Sequence, residues 1–360
     1  MLEILAEGEI LEGWETVSVS KLFTTLPFSF SVTSGSRSGG NPLRSKLIEG
    51  TPVELVLDGE SIMQGYVEKR RHAYDASSNL ITASGRDRSG DLVDCSAVNV
   101  PGHWRGARVA TIASEIVGLF PGLRFREDLS SPNLSSLTEF SLETGETAFS
   151  ALSKVGLMSG HVLRSDGMGN VFYTIPGRQR APVSLQSGVN IHGGTLEAAT
   201  TGRFSRYIVH GQDLRTTTLG NSRGNVSTRA EVEDLEVGRV RPIMIEAERA
   251  GDQGSMEERA KFERNLRAAD STIATYSLPG WDLQGYRWRD GDLIPVFDDE
   301  LGIGTLDSPL DLLIAGVTWE TSAMGATRAE VQLRYPGTFS TLPPPVKQSG
   351  GPALFDFSEV

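Results

Sequence analysis

The sequence predicts a mainly β protein in which two small antiparallel β-barrels flank a mixed helix and hairpin middle. Three observations lead there. Apolar and polar residues alternate strictly at Phe28, Phe30 and Val32, the period of a half-buried strand. Glycine is abundant, 40 of 360 residues, as many short strands and turns require. Helical spacing is concentrated in residues 97–200 and in one later stretch.

The first region, 1–96, reads as consecutive hairpins. Residues 15–23 alternate through Val17 and Val19, and 28–32 follow. A glycine-rich loop at 34–41 separates them from 53–57 and 62–67, which flank the hairpin turn Asp58-Gly59. Residues 71–74 and 80–83 flank a polar turn at 76–79. The pattern suits a first β-barrel domain.

The middle, 97–200, is an α+β region of one or two domains. Val109, Ile112, Ile116 and Leu119 have helical spacing that stops before Pro121-Gly122. Phe149, Leu152 and Val155 make a second stripe, with Glu146 expected in its first turn, where a negative charge suits the helix dipole. A hairpin is expected from 161–164 and 171–175 around residues 165–170.

Strand character returns in 201–340, the second expected barrel, at 207–210, 272–278, 293–297, 312–320 and 329–335. A flexible excursion is expected at 216–228. An inserted helix is expected at 256–269, with a Ser255/Glu258 capping box and Glu257/Lys261 and Glu263/Arg267 pairs. Residues 341–360 read as an extended C-terminal arm rich in proline and glycine, ending in an apolar 353–357 able to dock on a neighbour.

Composition excludes several function classes. Hydrophobic residues are 38% and charged residues 22%, a globular balance. A length of 360 residues exceeds one ordinary core. No run reaches the ~18 apolar residues of a membrane span, so no membrane anchoring is expected. Glu3, Glu7 and Glu9 disqualify the N-terminus as a signal peptide, and Cys95 alone forms no internal disulfide; synthesis in a reducing cytoplasm is expected. The net charge of −12 lacks the basic footprint of a dedicated nucleic-acid binder. That charge is uneven: 9 basic and 14 acidic residues in 1–96, 8 and 8 in 97–200, 16 and 22 in 201–340.

Motifs for covalent chemistry are lacking. Gly167-Met168-Gly169 and Gly302-Ile303-Gly304 lack the third glycine of a dinucleotide fingerprint and read as turns. The five histidines have no metal-ligand spacing. Asp298-Asp299-Glu300 lacks an EF-hand frame and reads as a solvated loop. Cys95 reads as a small buried hydrophobe. Trp281, Tyr286 and Trp288 could form a carbohydrate platform, but packing at a barrel mouth or interface is favoured. No catalytic residue, cofactor or metal is assigned.

Residues 65–67, 80–83 and the run Gly85-Arg86-Asp87-Arg88-Ser89-Gly90-Asp91-Leu92-Val93-Asp94-Cys95-Ser96 resemble the N-terminal barrel of the Mu-like phage baseplate hub family. That family groups with late control protein D, the T4 central hub and type VI spike hubs. Residues 146–175 resemble its helix-then-hairpin segment. Residues 280–336, with Trp281 and with Trp288 before Asp290-Gly291-Asp292, resemble its closing barrel. The residues carrying the resemblance are Gly85, Arg86, Asp91, Leu92, Asp94, Cys95, Trp281 and Trp288. Nothing after residue 340 resembles a spike needle or lysozyme domain.

The resemblance implies a non-enzymatic structural component of a contractile-tail virion, assembled in the cytoplasm of an infected bacterium. It implies a homotrimer whose ring adapts a hexameric tail tube to a trimeric spike, with the tape measure protein as a further partner. DNA would pass in transit, and an acidic or neutral channel wall would let it slide. Alternatives are the hub of a phage-like injection particle or secretion spike and, from another class, a peptidoglycan hydrolase or glycan-binding protein.

Overall fold

The computed structural model describes residues 2–35, 43–75, 79–98, 100–127, 134–213, 226–246 and 253–339. The expected turn at 76–79 (save Asn79), most of the 34–41 loop and of the 216–228 excursion, and the arm at 341–360 lie outside these residues. The chain divides into two compact units, one of residues 1–197 and 273–334, the other of 198–272 and 335–360.

The first unit is built on a 13-stranded sheet. Its central strands are Thr16–Leu22, Ser29–Gly35 and Asn79–Asp87, where each alternation buries one face. Val17, Val19, Phe30, Val32, Ile81 and Ala83 are the inward set. Pro52–Leu57 and Glu60–Tyr74 form the hairpin predicted at Asp58-Gly59, whose positive φ values of 52° and 81° suit a tight turn matched to strand twist. Residues 60–74 are one 15-residue strand, where the sequence suggested two. Leu2–Ala6 adds a strand beside Pro52–Leu57.

Strands from the far end of the chain join the same sheet. Thr16–Leu22 pairs antiparallel with Leu310–Ser322, which pairs with Thr327–Arg334, then Thr272–Pro279 and finally Gly193–Ala198. Strands of both expected barrels, save the one at 207–210, therefore share one sheet, and no described pairing closes it into a ring. Tyr276, Leu278, Val317, Trp319, Ala329 and Val331 continue its buried face.

The middle region carries its own core. The helix Val109–Val117 buries Val109, Ile112 and Ile116 of the stripe read from spacing, together with Ala113, and ends before the half-buried Leu119. The helix Ala148–Met158 buries Ala151, Leu152 and Val155 against it. Thr147 caps that helix, accepting from the Ser150 amide at 3.2 Å. Glu146 therefore precedes the cap rather than lying in the first turn, and it pairs with Lys154 at 2.9 Å instead. The expected hairpin is present as Val162–Ser165 and Asn170–Thr174.

In the second unit, Arg206–Asp213 pairs antiparallel with Val226–Glu233 and parallel with Pro242–Glu246. The helix Gln253–Asp270 packs Met256 and Ala260 onto Tyr207, Val209 and Ala230. It already includes residue 255, so Ser255 is not its N-cap; the helix starts earlier than the capping-box pattern indicated. The Glu257–Lys261 and Glu263–Arg267 pairs form at 2.6 and 3.3 Å.

Leu152 is fully buried between the two middle helices, so Leu152→Ala should cost about 2–5 kcal/mol, read as a shifted urea midpoint with unchanged slope. Burial lowers the pKa of His161, the Ser159 contact opposing and Arg178 adding to the shift. The folded state then holds the neutral ring, so its contribution is full above the unfolded pKa of about 6.5 and is lost as pH falls through the lowered folded value. His161→Gln should flatten this acid-side slope of stability; an unchanged slope would contradict the assignment.

Candidate functional site

Two adjacent glycines begin the site. A Cβ on Gly85 would lie 1.9 Å from the Tyr66 carbonyl oxygen, and one on Gly65 would lie 2.0 Å from that of Arg86. Only glycine lets the two strands pass this closely. A bulge between Val67 and Lys69 follows at once.

The segment after Gly85 splits its charges between surface and interior. Arg86 donates from Nε to Glu68 at 2.8 Å and from Nη2 to Asp94 at 2.5 Å. These bonds raise the Arg86 pKa and lower that of Asp94, while burial raises that of Asp91. Leu92 points into the middle core, fully buried. Cys95 is exposed, contrary to the sequence reading. It follows the five-residue helix Gly90–Asp94, whose inward side is already taken by Gly90 and Leu92.

Asp87 goes the other way, into the interior. Its carboxylate accepts from the amides of Phe28 at 3.0 Å and Ser89 at 2.7 Å, and from the hydroxyls of Ser89 at 2.5 Å and Ser165 at 3.0 Å. Beside it lie two buried cations. Lys21 donates to the Leu26 carbonyl at 2.5 Å and sits 4.6 Å from the centre of the Phe28 ring. Arg164 donates to the Phe23 carbonyl at 3.0 Å, stacks on the Phe23 ring at 4.4 Å and forms an ion pair with Asp290. Burial pushes Lys21 well below its usual range, Arg164 adding to the effect, and pushes Arg164 down to about 9. Two cations and two carboxylates thus join segments near residues 21–28, 87–89, 164–165 and 290.

The tryptophans are packing residues. Trp281 stacks on Trp319 with ring centres 5.9 Å apart and donates to the Thr321 hydroxyl at 2.7 Å. Trp288 is buried edge-on to Tyr286, which donates to Asp292 at 2.8 Å. Asp298, meanwhile, is buried and accepts from the Glu300 amide at 3.0 Å, folding its own turn.

The outward face of the sheet is unusual in composition. Strand register places Ser18 beside Ser31 and Ser31 beside Ser84, Ser20 between Thr318 and Ser29, and Thr16 beside Thr33 and Thr33 beside Thr82. The Ser20 and Ser29 hydroxyls are 3.3 Å apart. Charges interrupt this face. Arg86 is paired as above, and Glu320 pairs with Arg328 at 2.5 Å. Glu330, Lys69 and Arg71 join the same face with no ion pair among the described residues. The face is rich in hydroxyls where the central strands meet, with paired and unpaired charges around them.

Two domain families match adjacent segments of the chain on either side of this junction. Residues 1–87 match the N-terminal domain of Mu phage baseplate assembly protein GpP-like proteins, and residues 89–175 match the second domain of gp44-like baseplate hub proteins. The boundary falls between Asp87 and Ser89, the two residues whose mutual hydrogen bonds anchor the buried cluster. The chain belongs with the Mu-like phage baseplate hub proteins.

This hub protein is 27% identical to the baseplate hub protein gp44 of Escherichia phage Mu over 333 residues, 91% of this chain and 86% of that one. It is similar to the crystal structure of a 43 kDa tail protein of prophage MuSo2 from Shewanella oneidensis, with a TM-score of 0.77 and 25% identity, covering 94% and 98% of the two chains. A type VI secretion system component of E. coli, described as structurally similar to the T4 tail proteins gp27 and gp5, shares the fold at a TM-score of 0.51 and 12% identity, covering 95% and 79%. A baseplate hub is part of the virion, and no helix among the hub's described residues is long and apolar enough to cross a membrane.

Of the residues that carried the family resemblance, the structure gathers Gly85, Arg86, Asp91, Leu92 and Asp94 around one turn, with Cys95 at its exposed end. Asp87, Ser89, Lys21, Arg164, Ser165 and Asp290 were not singled out. Lys21 had a signal: it occupies the next inward position after Val17 and Val19. Asp87→Asn should destabilise the hub by about 3 kcal/mol, because the amide nitrogen cannot accept from the donors that the second carboxylate oxygen satisfies and the charge facing Lys21 is lost. Arg86→Ala, at a pair whose carboxylates are exposed, should cost at most about 1 kcal/mol. Equal urea midpoints for the two variants would refute this ranking.

Proposed function

We propose that this hub protein acts as a homotrimeric ring that adapts a hexameric tail tube to a trimeric spike and leaves an axial channel for DNA. The observation that carries the reading is the hydroxyl face of the sheet. A channel for DNA must be wet, yet must not hold the phosphates. Duplex DNA carries one charge per about 1.7 Å, and six to ten lysine contacts would bind it tightly at low salt. Serine and threonine hydroxyls in neighbouring strands offer neutral, hydrated contact instead. The opposite face, lined by Val17, Val19, Phe30 and Trp319, is committed to the core.

No step in this reading uses covalent chemistry. The work is done by symmetry matching and by two docking faces, one for the tube and one for the spike. A heterologous interface repeated three times closes such a ring without leaving an open end. A spike is the partner proposed on one side of the ring, and the tape measure protein is a further candidate above it.

Negative-stain images of the full chain, alone or with its spike, should show ring-shaped trimers. Ser18→Lys, Ser31→Lys and Ser84→Lys together should leave the fold intact and create duplex DNA binding whose log–log salt slope steepens by about 0.9 for each contact made. They should also slow genome delivery. A strictly monomeric chain in both settings, or a triple variant with no change in DNA affinity, would defeat the proposal.

A further inference from the structure

The hydroxyl-faced sheet runs from Gly193–Ala198 to Glu9–Ile10, and two of its free edges differ in charge. At one edge, the strand Glu60–Tyr74 pairs with Pro52–Leu57 only as far as Tyr66, but with Asn79–Asp87 as far as Tyr74. No described strand pairs the other edge of residues 68–74. This overhang carries Lys69 and Arg71 on the hydroxyl face, without an ion pair among the described residues, and ends in Tyr74, 81% exposed. At the other edge, Gly193–Ala198 closes the path of the sheet. It bears the exposed Glu197, and Gly193 and Gly194 share a surface hollow with the exposed Glu300.

From these edges we infer that the overhang at 68–74 docks onto Gly193–Ala198 of a second copy of this chain. The inference rests on the ring reading and names its contact. Three features select this occupant. The overhang and the facing edge are seven and six residues long, each about 20 Å, so the backbone groups can be matched over their whole length. The basic overhang meets an edge with Glu197 and Glu300, in a protein whose net charge of −12 would otherwise oppose self-association. Head-to-tail pairing of these two edges also extends the hydroxyl face from one copy into the next, and such a heterologous contact can close a ring. A solvated edge guarded by cations against aggregation is the competing account.

The test uses the full chain, with its spike present where the ring needs it. Lys69→Glu with Arg71→Glu should lower the trimer fraction at least tenfold by sedimentation, with the circular dichroism of the monomer unchanged. Adding Glu197→Lys and Glu300→Lys to that variant should restore the trimer. In a Cys95→Ser background, Arg71→Cys combined in turn with Thr195→Cys, Leu196→Cys or Glu197→Cys should give covalent trimers on oxidation for at least one pair. If the wild type forms trimers, but charge reversal leaves them intact and no cysteine pair links them, the edge contact is wrong and the ring stands. If the wild type never trimerises, the ring reading fails and this contact with it.

Discussion

A carboxylate taken out of water must be paid for by partners, and Asp87 finds four donors and two nearby cations in the interior of this hub. Those partners come from segments up to 144 residues apart in the chain, and Asp290, which pairs with Arg164, lies 269 residues beyond Lys21. A buried charge is costly unless its hydrogen bonds and its countercharge are both in place. The cluster is therefore satisfied only when the first strands, the turn at 87–89, the hairpin at 162–174 and the segment near Asp290 are all assembled. Such a cluster contributes specificity of arrangement: hydrophobic packing alone would tolerate small slips of the middle region on the sheet, whereas four directed hydrogen bonds do not.

The same turn explains why the segment after Gly85 is so distinctive. Gly65 and Gly85 bring two backbones together, Asp87 turns inward, Arg86 turns outward, and Leu92 enters the middle core two turns later. Each residue does a different job within one short stretch, and few substitutions preserve all of them. The junction of the two matched family domains at this place follows naturally, since it is where the sheet hands the chain over to the helical core.

The two faces of the sheet divide structural and functional demands. The inward face is apolar and pays for folding. The outward face carries short hydroxyl side chains in register across its central strands, with some of its charges paired by neighbours. Short hydroxyl groups hydrate well, lose little rotamer entropy and project little charge, as the proposed channel wall requires. Lys69 and Arg71 depart from that neutrality at one edge, beside backbone groups that no described strand pairs.

The sequence by itself determined the local elements. Period-two alternation located Thr16–Leu22 and Ser29–Gly35, Asp58-Gly59 fixed a hairpin, and apolar spacing placed both middle helices, because these signals depend on neighbours along the chain. The glycine at 85 and the leucine at 92 were also legible within a familiar run. Tertiary structure decided what those elements join. Nothing in residues 310–334 announces that they pair beside Thr16–Leu22, since strand edges carry the same backbone groups everywhere. Nor does a lone aspartate at 87 announce that its partners are Ser165 and Phe28, because a buried charge is defined by what surrounds it. The hydroxyl face likewise exists only through register across strands distant in sequence, and register is a property of the folded sheet.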